Sequence, residues 1–384
     1  MGRARQLSIL SLSHLVNDMY GSVLPPLYPL LATIYGLTYA AAGLYTAAYL
    51  FASAFLQPLF GYIFDRYQLR FMLPLSLVLG AVGIGVLGVM DSFEASLVCV
   101  AVAGMGSAIY HPIASAYSSY ESERRGLLFS IFMIAGRVGA AVAPFLSLWA
   151  AQSFGLRGLA IFALPTVLLL YFTFRLGEYE GARTNGAMSE GRGAIEPCLS
   201  RRDVFILTSL VALSGLGLQI AANGVVSFLS FLAVWRGFGS EFGGFLLTLL
   251  FVGAIAGVPL TSYLSDLKGR YTISVILLVL ASAVIFPLPF VDPVGMAGAV
   301  ISIGACTVSL HTLLILIMHE IMPGLKGLAT SVIYGVALGG GGLLAPLVGY
   351  VIDVGGFQYG FTFLSIMGFA SLIPLTIAKR MQQR

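Results

Sequence analysis

Runs of about 20 mostly apolar residues, the length a helix needs to cross a bilayer, follow one another along almost the whole chain. Short segments that carry the charges part them. Reading the runs between charges predicts twelve spans, near 7–32, 39–64, 71–90, 93–118, 126–151, 156–176, 204–234, 241–264, 272–291, 294–318, 326–350 and 357–378. Only 9% of the 384 residues are charged and 58% are hydrophobic, with a mean hydropathy of +0.95. A soluble domain carries about 25% charged residues. So few charges cannot clothe a water-facing surface, and the solvent for most of this chain is lipid. The net charge of +4 is small and gives no sign of nucleic-acid binding. Of the three cysteines, Cys99 and Cys306 lie in apolar runs and no CxxC pair occurs, so the thiols are expected to be inert. The first apolar run has no small-residue cleavage site after it and reads as a span rather than a cleavable signal.

One hydrophilic stretch, 177–203, interrupts the series and reads as a linker. It divides the chain into an N-terminal six-helix bundle, 1–176, and a C-terminal one, 204–384. Basic residues orient the whole. With the N-terminus cytoplasmic, seventeen of the twenty Lys and Arg residues fall in inner loops, tails or the linker. Only Arg157 and Arg236 fall outside, and Arg137 lies within a span. That asymmetry places both termini and the linker on the cytoplasmic side of a cell (inner) membrane. The halves repeat with an offset near 201. Pro58 and Asp65 correspond to Pro259 and Asp266, Gly104 to His111 corresponds to Gly304 to His311, and Gly126, Ser130 and Pro144 correspond to Gly327, Ser331 and Pro346. Parallel six-helix repeats with a solute site near the bilayer midplane mark a class of secondary transporters.

The loop after the second span, Gly61-Tyr-Ile-Phe-Asp65-Arg66-Tyr-Gln-Leu-Arg70, resembles the GxxxDRxGRR signature of the major facilitator superfamily. Gln68 and Leu69 depart from its Gly-Arg core, which Gly269-Arg270 keeps in the second half. The resemblance covers the whole chain. It implies an all-α membrane fold of twelve transmembrane helices in two pseudo-symmetric six-helix bundles. It also implies gating by Asp65, Arg66, Arg70, Asp266 and Arg270, whose Asp–Arg relay helps lock the inside-closed state. A narrower resemblance, to the fosmidomycin resistance protein family of exporters, rests on Ser13-His14-Leu-Val-Asn17-Asp18 and on Gly104-x-Gly106-Ser107-Ala108-x-x-His111-Pro112. Arg137 departs from that pattern, which places a small or amide residue there.

Ionisable residues inside a membrane span cost roughly 2.5–3.5 kcal/mol and are functional candidates by default. His14 and Asp18 are one helical turn apart, as are Ser107 and His111, Gln219 and Asn223, and Thr307 and His311. At 1.5 Å rise per residue, His14 lies ~13 Å and Asp18 ~20 Å from Arg5, and His111 ~15 Å from Glu121. Arg137 lies ~18 Å from Arg125, and His311 ~13 Å from Glu320. These residues form a mid-membrane layer on the first, fourth, fifth and tenth spans. In the superfamily the first, fourth, seventh and tenth helices line the central cavity. The predicted substrate and proton-coupling set is therefore His14, Asn17, Asp18, His111, Arg137, Gln219, Asn223 and His311. A buried ion pair of Asp18 with Arg137 is the alternative use of those two side chains. His319 and Glu320, at the inner end of the tenth span, read as surface or gate residues.

The first expectation is a proton-coupled antiporter, with Asp18 as proton carrier, exporting a small organic solute or drug. Arg137 at the midplane favours an anionic solute, a carboxylate or phosphonate. Coupled uptake of an organic anion is an open alternative. A second class is a divalent metal transporter using His14, Asp18, His111 and His311, against which stand Arg137 and the absence of a Cys/His-rich loop. A receptor or intramembrane enzyme is disfavoured, since no nucleophile–base motif, cofactor loop or large soluble domain occurs. The expected partners are a small-molecule substrate, protons and the lipid bilayer, with no cofactor, no resident metal and a monomeric chain.

Overall fold

Lipid-facing apolar runs have to satisfy their own backbone hydrogen bonds, and they do so as helices. The computed structural model describes residues 3–67, 69–118, 125–184, 200–323 and 325–382, and the regular structure among them is helical throughout. Of the predicted linker, residues 177–184 continue a helix, 201–203 open the next, and 185–199, with Cys198, lie outside the described residues. Gln68, Arg124, Arg192 and Arg384 also lie outside them.

In chain order the α-helices are α1 Arg3–Ser22, α2 Tyr28–Tyr35, α3 Tyr39–Leu50, α4 Gln57–Tyr67, α5 Met72–Leu87, α6 Phe93–Tyr117, α7 Arg125–Phe154 and α8 Ala163–Thr184. There follow α9 Arg201–Trp235, α10 Gly239–Lys268, α11 Arg270–Ile285, α12 Pro293–Ile321, α13 Lys326–Val332, α14 Gly340–Leu343, α15 Ala345–Ala370 and α16 Leu372–Gln382. Pro25 and Pro26, which have no N–H to give, turn the chain between α1 and α2 into a short 3₁₀ segment, Pro25–Leu27. A π-helical turn, Phe51–Phe55, joins α3 to α4, and another, Ile333–Gly339, joins α13 to α14. Ser92, Ser200 and Asp292 cap α6, α9 and α12 through their side-chain oxygens. Among the described residues eight helical stretches are long and apolar enough to cross a membrane; α5 and α11, at 16 residues each, are shorter. The last of the eight, Gly327–Gln382, has 56 residues, about 84 Å of helix. It bends at Gly356, whose φ of +81° no L-residue adopts cheaply. Large apolar side chains stand fully out on the surface, Leu168 at 72% and Phe205 at 73% exposure among them. Only lipid makes such a surface favourable.

The chain divides into two compact units, Met1–Leu27 with Ala48–Gly191, and Tyr28–Ala47 with Arg192–Arg384. In the first, α1 packs along α7 and α5 along α6. Close approach is bought with small residues: a Cβ on Gly139 would overlap the Leu15 carbonyl, and one on Gly106 would sit 2.5 Å from that of Ser76. In the second unit α10 packs on α12, with Gly253, Gly257 and Gly304 against the facing backbone. The second unit also takes up α2 and most of α3. There Asp353 of α15 accepts from the backbone N–H groups of Tyr39 and Ala40 at 2.9 Å each, closing the first turn of α3 across 314 positions of sequence.

Candidate functional site

Four of the predicted residues meet in the first unit. His14, Asn17 and Asp18 project from one face of α1, because positions three and four apart share a face. His111 comes to them from α6. His14 Nε2 lies 3.4 Å from Asp18 Oδ2, and His111 Nε2 lies 3.8 Å from Asp18 Oδ1. Asn17 Nδ2 donates to Asp18 Oδ1 at 3.0 Å and faces His111 Nε2 at 3.5 Å. His14 and Asn17 are buried, while the Asp18 and His111 side chains keep 17% and 32% of their surface open.

The far side of His14 fixes its chemistry. Its Nδ1 is 2.8 Å from the carbonyl oxygen of Phe132 on α7, an atom that can only accept, so Nδ1 carries a hydrogen. In the neutral ring Nε2 then presents a lone pair to a carboxylate. That face-off is repulsive unless a proton or another cation lies between the two. The ring is held by stacking on Phe132 at 4.3 Å and against Tyr110 at 5.7 Å. Tyr110 is locked in turn by Ser13 at 2.8 Å and the Leu10 carbonyl at 3.2 Å. Gly136 of α7 completes the wall. A Cβ there would come 2.5 Å from Asp18 Oδ2 and 2.7 Å from His14 Nε2.

Arg137, next along α7, is half-buried and acts on Asp18 and His111 through space, from beyond ion-pair distance. The buried Asp18–Arg137 ion pair, the alternative that equal depth suggested, is not formed.

The remaining three residues belong to the second unit. Gln219 Nε2 of α9 lies 2.8 Å from His311 Nδ1 of α12, and Tyr334 meets the His311 ring edge-on at 5.3 Å. Asn223 donates to the Leu338 carbonyl at 3.5 Å within the π-helical turn. Thr307, a turn before His311, bonds back to its own helix at Ile303.

Against this geometry the comparisons are specific. The sequence profile described as Major Facilitator Superfamily matches residues 10–346. The chain belongs to the Major Facilitator Superfamily. It is a multi-pass membrane transporter of that superfamily. It is 29% identical over 352 residues to the fosmidomycin resistance protein of Escherichia coli (strain K12), covering 90% of this chain and 86% of that protein. It is 27% identical over 380 residues to the uncharacterized MFS-type transporter YfnC of Bacillus subtilis (strain 168), covering 96% and 92%. Among solved structures, the nucleoside transporter NupG superposes with a TM-score of 0.77 at 16% identity, over 99% of both chains. A bacterial homologue of the human lysosomal transporter Spinster gives 0.70 at 15% identity, over 99% of this chain and 96% of that one. At such identities these two likenesses speak for the shared fold only.

The superfamily loop stands at the end of α4. Asp65, Arg66 and Arg70 are exposed, and no ion pair joins them among the described residues. In the second unit Arg270 pairs with Glu320 of α12 at 2.6 Å, rather than with Asp266. The expected Asp–Arg relay is therefore not closed inside either loop. His319 bonds Thr330 at 2.7 Å. Sequence reasoning missed Phe132 and Tyr110. Phe132 serves His14 through both its carbonyl and its ring, but one phenylalanine in an apolar span carries no signal of a site; Tyr110 adjoins the polar residue His111.

Proposed function

We propose that this transporter is a proton-coupled antiporter that exports a small organic anion across the inner membrane, with the proton held between Asp18 and His14. The observation that carries the proposal is the lone pair of His14 Nε2 set 3.4 Å from Asp18 Oδ2, with the other ring nitrogen committed to the Phe132 carbonyl. A proton on either group turns a repulsive contact into a hydrogen bond. His111 and Asn17 serve the second carboxylate oxygen and give the proton a route toward the open side of the cluster. Arg137, with no carboxylate in ion-pair reach among the described residues, receives the anionic group of the solute. Its positive charge next to the proton site makes solute and proton compete, which is what exchange requires. Gln219, Asn223 and His311 are kept as proposed solute-contacting residues.

The similarity to the fosmidomycin resistance protein supports export of a drug-like phosphonate and names fosmidomycin as the first probe. The proposed topology has twelve crossings. In it α1 with α2, α3 with α4, each helix from α5 to α12, and each of the two segments parted at Gly356 counts as one span, and both termini face the cytoplasm. The proposed domains remain 1–176 and 204–384 joined by 177–203, in a monomer without cofactor.

The test uses everted membrane vesicles with an acid interior and labelled fosmidomycin outside. Wild-type protein is expected to accumulate the drug until the pH gradient is collapsed. D18N is expected to lose gradient-driven accumulation entirely. Full accumulation by D18N would remove Asp18 from the coupling.

A further inference from the structure

The His14–Asp18–His111 cluster satisfies more than the needs of a proton. One nitrogen from each histidine and one carboxylate oxygen lie within 4.8 Å of one another. His14 Nε2 stands 3.4 Å from Asp18 Oδ2 and His111 Nε2 3.8 Å from Asp18 Oδ1, each near the roughly 3.3 Å that two ligands on a tetrahedral zinc ion keep at bonds of about 2.0–2.1 Å. Side chains on two helices, α1 and α6, supply the set. His14 also has the support that metal-bound histidines need. Its Nδ1–H is donated to a backbone carbonyl, which fixes the tautomer and turns the Nε2 lone pair inward. Asn17 Nδ2 lies 3.5 Å from His111 Nε2, at the limit of a hydrogen bond, a weak contact that an ion bound at this nitrogen would displace. Two imidazole nitrogens and a carboxylate oxygen thus stand within reach of one ion, and the one-third exposure of His111 gives it a way in.

We infer that His14, Asp18 and His111 form a binding site for a borderline divalent transition-metal ion, Ni²⁺ or Zn²⁺, at the place where the coupling proton sits. Imidazole and carboxylate are the ligands such ions take. Three protein ligands leave a coordination position for water or solute, as in sites that exchange their ligands rather than in closed structural ones. Arg137, acting on Asp18 and His111, weakens the site and keeps the ion exchangeable. The inference does not depend on which solute is carried, and binding is read without transport. Its failure would therefore leave the proposed antiport standing, and failure of the antiport would leave the site.

The other two histidines are committed elsewhere, His311 to Gln219 and His319 to Thr330, which makes the experiment clean. Tag-free protein in detergent is titrated with Ni²⁺ by calorimetry. One saturable site per chain is expected, with H319Q indistinguishable from wild type and H14Q and H111Q each at least tenfold weaker. H111Q keeps the His14 contacts to Phe132 and Tyr110 and is expected to fold, which a melting curve without metal verifies. R137Q, relieved of the neighbouring cation, is expected to bind several-fold more tightly. No saturable binding by wild type, binding undiminished in H111Q, or R137Q no tighter than wild type would each overturn the assignment.

Discussion

At the residue scale, the cluster on α1 shows why a short polar motif suffices in a membrane. Asp18 and His14 are held by neighbours that cost nothing in charge: a backbone carbonyl, an aromatic face and a glycine. Gly136 is the most exposed to test. An added methyl would press on both Asp18 Oδ2 and His14 Nε2, and overpacking of this kind typically costs 1–3 kcal/mol. G136A is expected to fold with a lowered melting temperature and to lose most transport; unchanged transport would show that the pair tolerates displacement. That His14, Asn17 and Asp18 share a face of α1 was legible in the sequence, because one helical turn fixes it, and helical rise put His111 at their depth. The tautomer of His14 was not. It depends on a carbonyl 118 positions away, and backbone atoms look alike at every position. The same holds for Arg137: helical rise gave its depth, but depth does not say that its nearest carboxylate stays out of reach.

At the scale of elements, spans announced themselves through length and hydropathy, whereas the turn at Pro25 and Pro26 falls inside the predicted span 7–32. The two π-helical turns had no such signal, since each arises where the chain adjusts to its neighbours. The second of them carries Leu338, the acceptor for Asn223. Asp353 was not singled out by the sequence either, because a cap formed across 314 positions follows from packing alone. Its two N–H partners at the positive end of α3 make charge-assisted bonds. Since Asp353 is exposed, D353A is expected to cost only about 1 kcal/mol. The measurement is the thermal midpoint in detergent, where D353N should fall between D353A and wild type. A midpoint unchanged in D353A would mean water replaces the cap without loss. The exposed Arg270–Glu320 pair is expected to contribute still less, under about 1 kcal/mol, so E320Q should leave the midpoint nearly unmoved.

For the whole molecule, composition alone dictated lipid as the solvent, and the superfamily profile over 10–346 agrees. The internal repeat near offset 201 was visible because glycine and proline positions are set by packing, which duplication preserves. The regrouping of Tyr28–Ala47 with Arg192–Arg384 was not visible, since contacts across that distance leave no mark on a single sequence. Orientation is testable by fusing alkaline phosphatase or a fluorescent protein after Arg384 and within 185–199. Fluorescence with no phosphatase activity is expected at both positions, as seventeen of twenty basic residues predict; phosphatase activity at either would reverse the topology. The account as a whole turns on exchange of solute for a proton at Asp18. Proteoliposomes loaded with fosmidomycin and a lumenal pH dye, then diluted into drug-free buffer, read that exchange directly. Wild type should acidify the lumen as drug leaves and D18N should not, whereas drug efflux from wild type without acidification, or acidification undiminished in D18N, would contradict it.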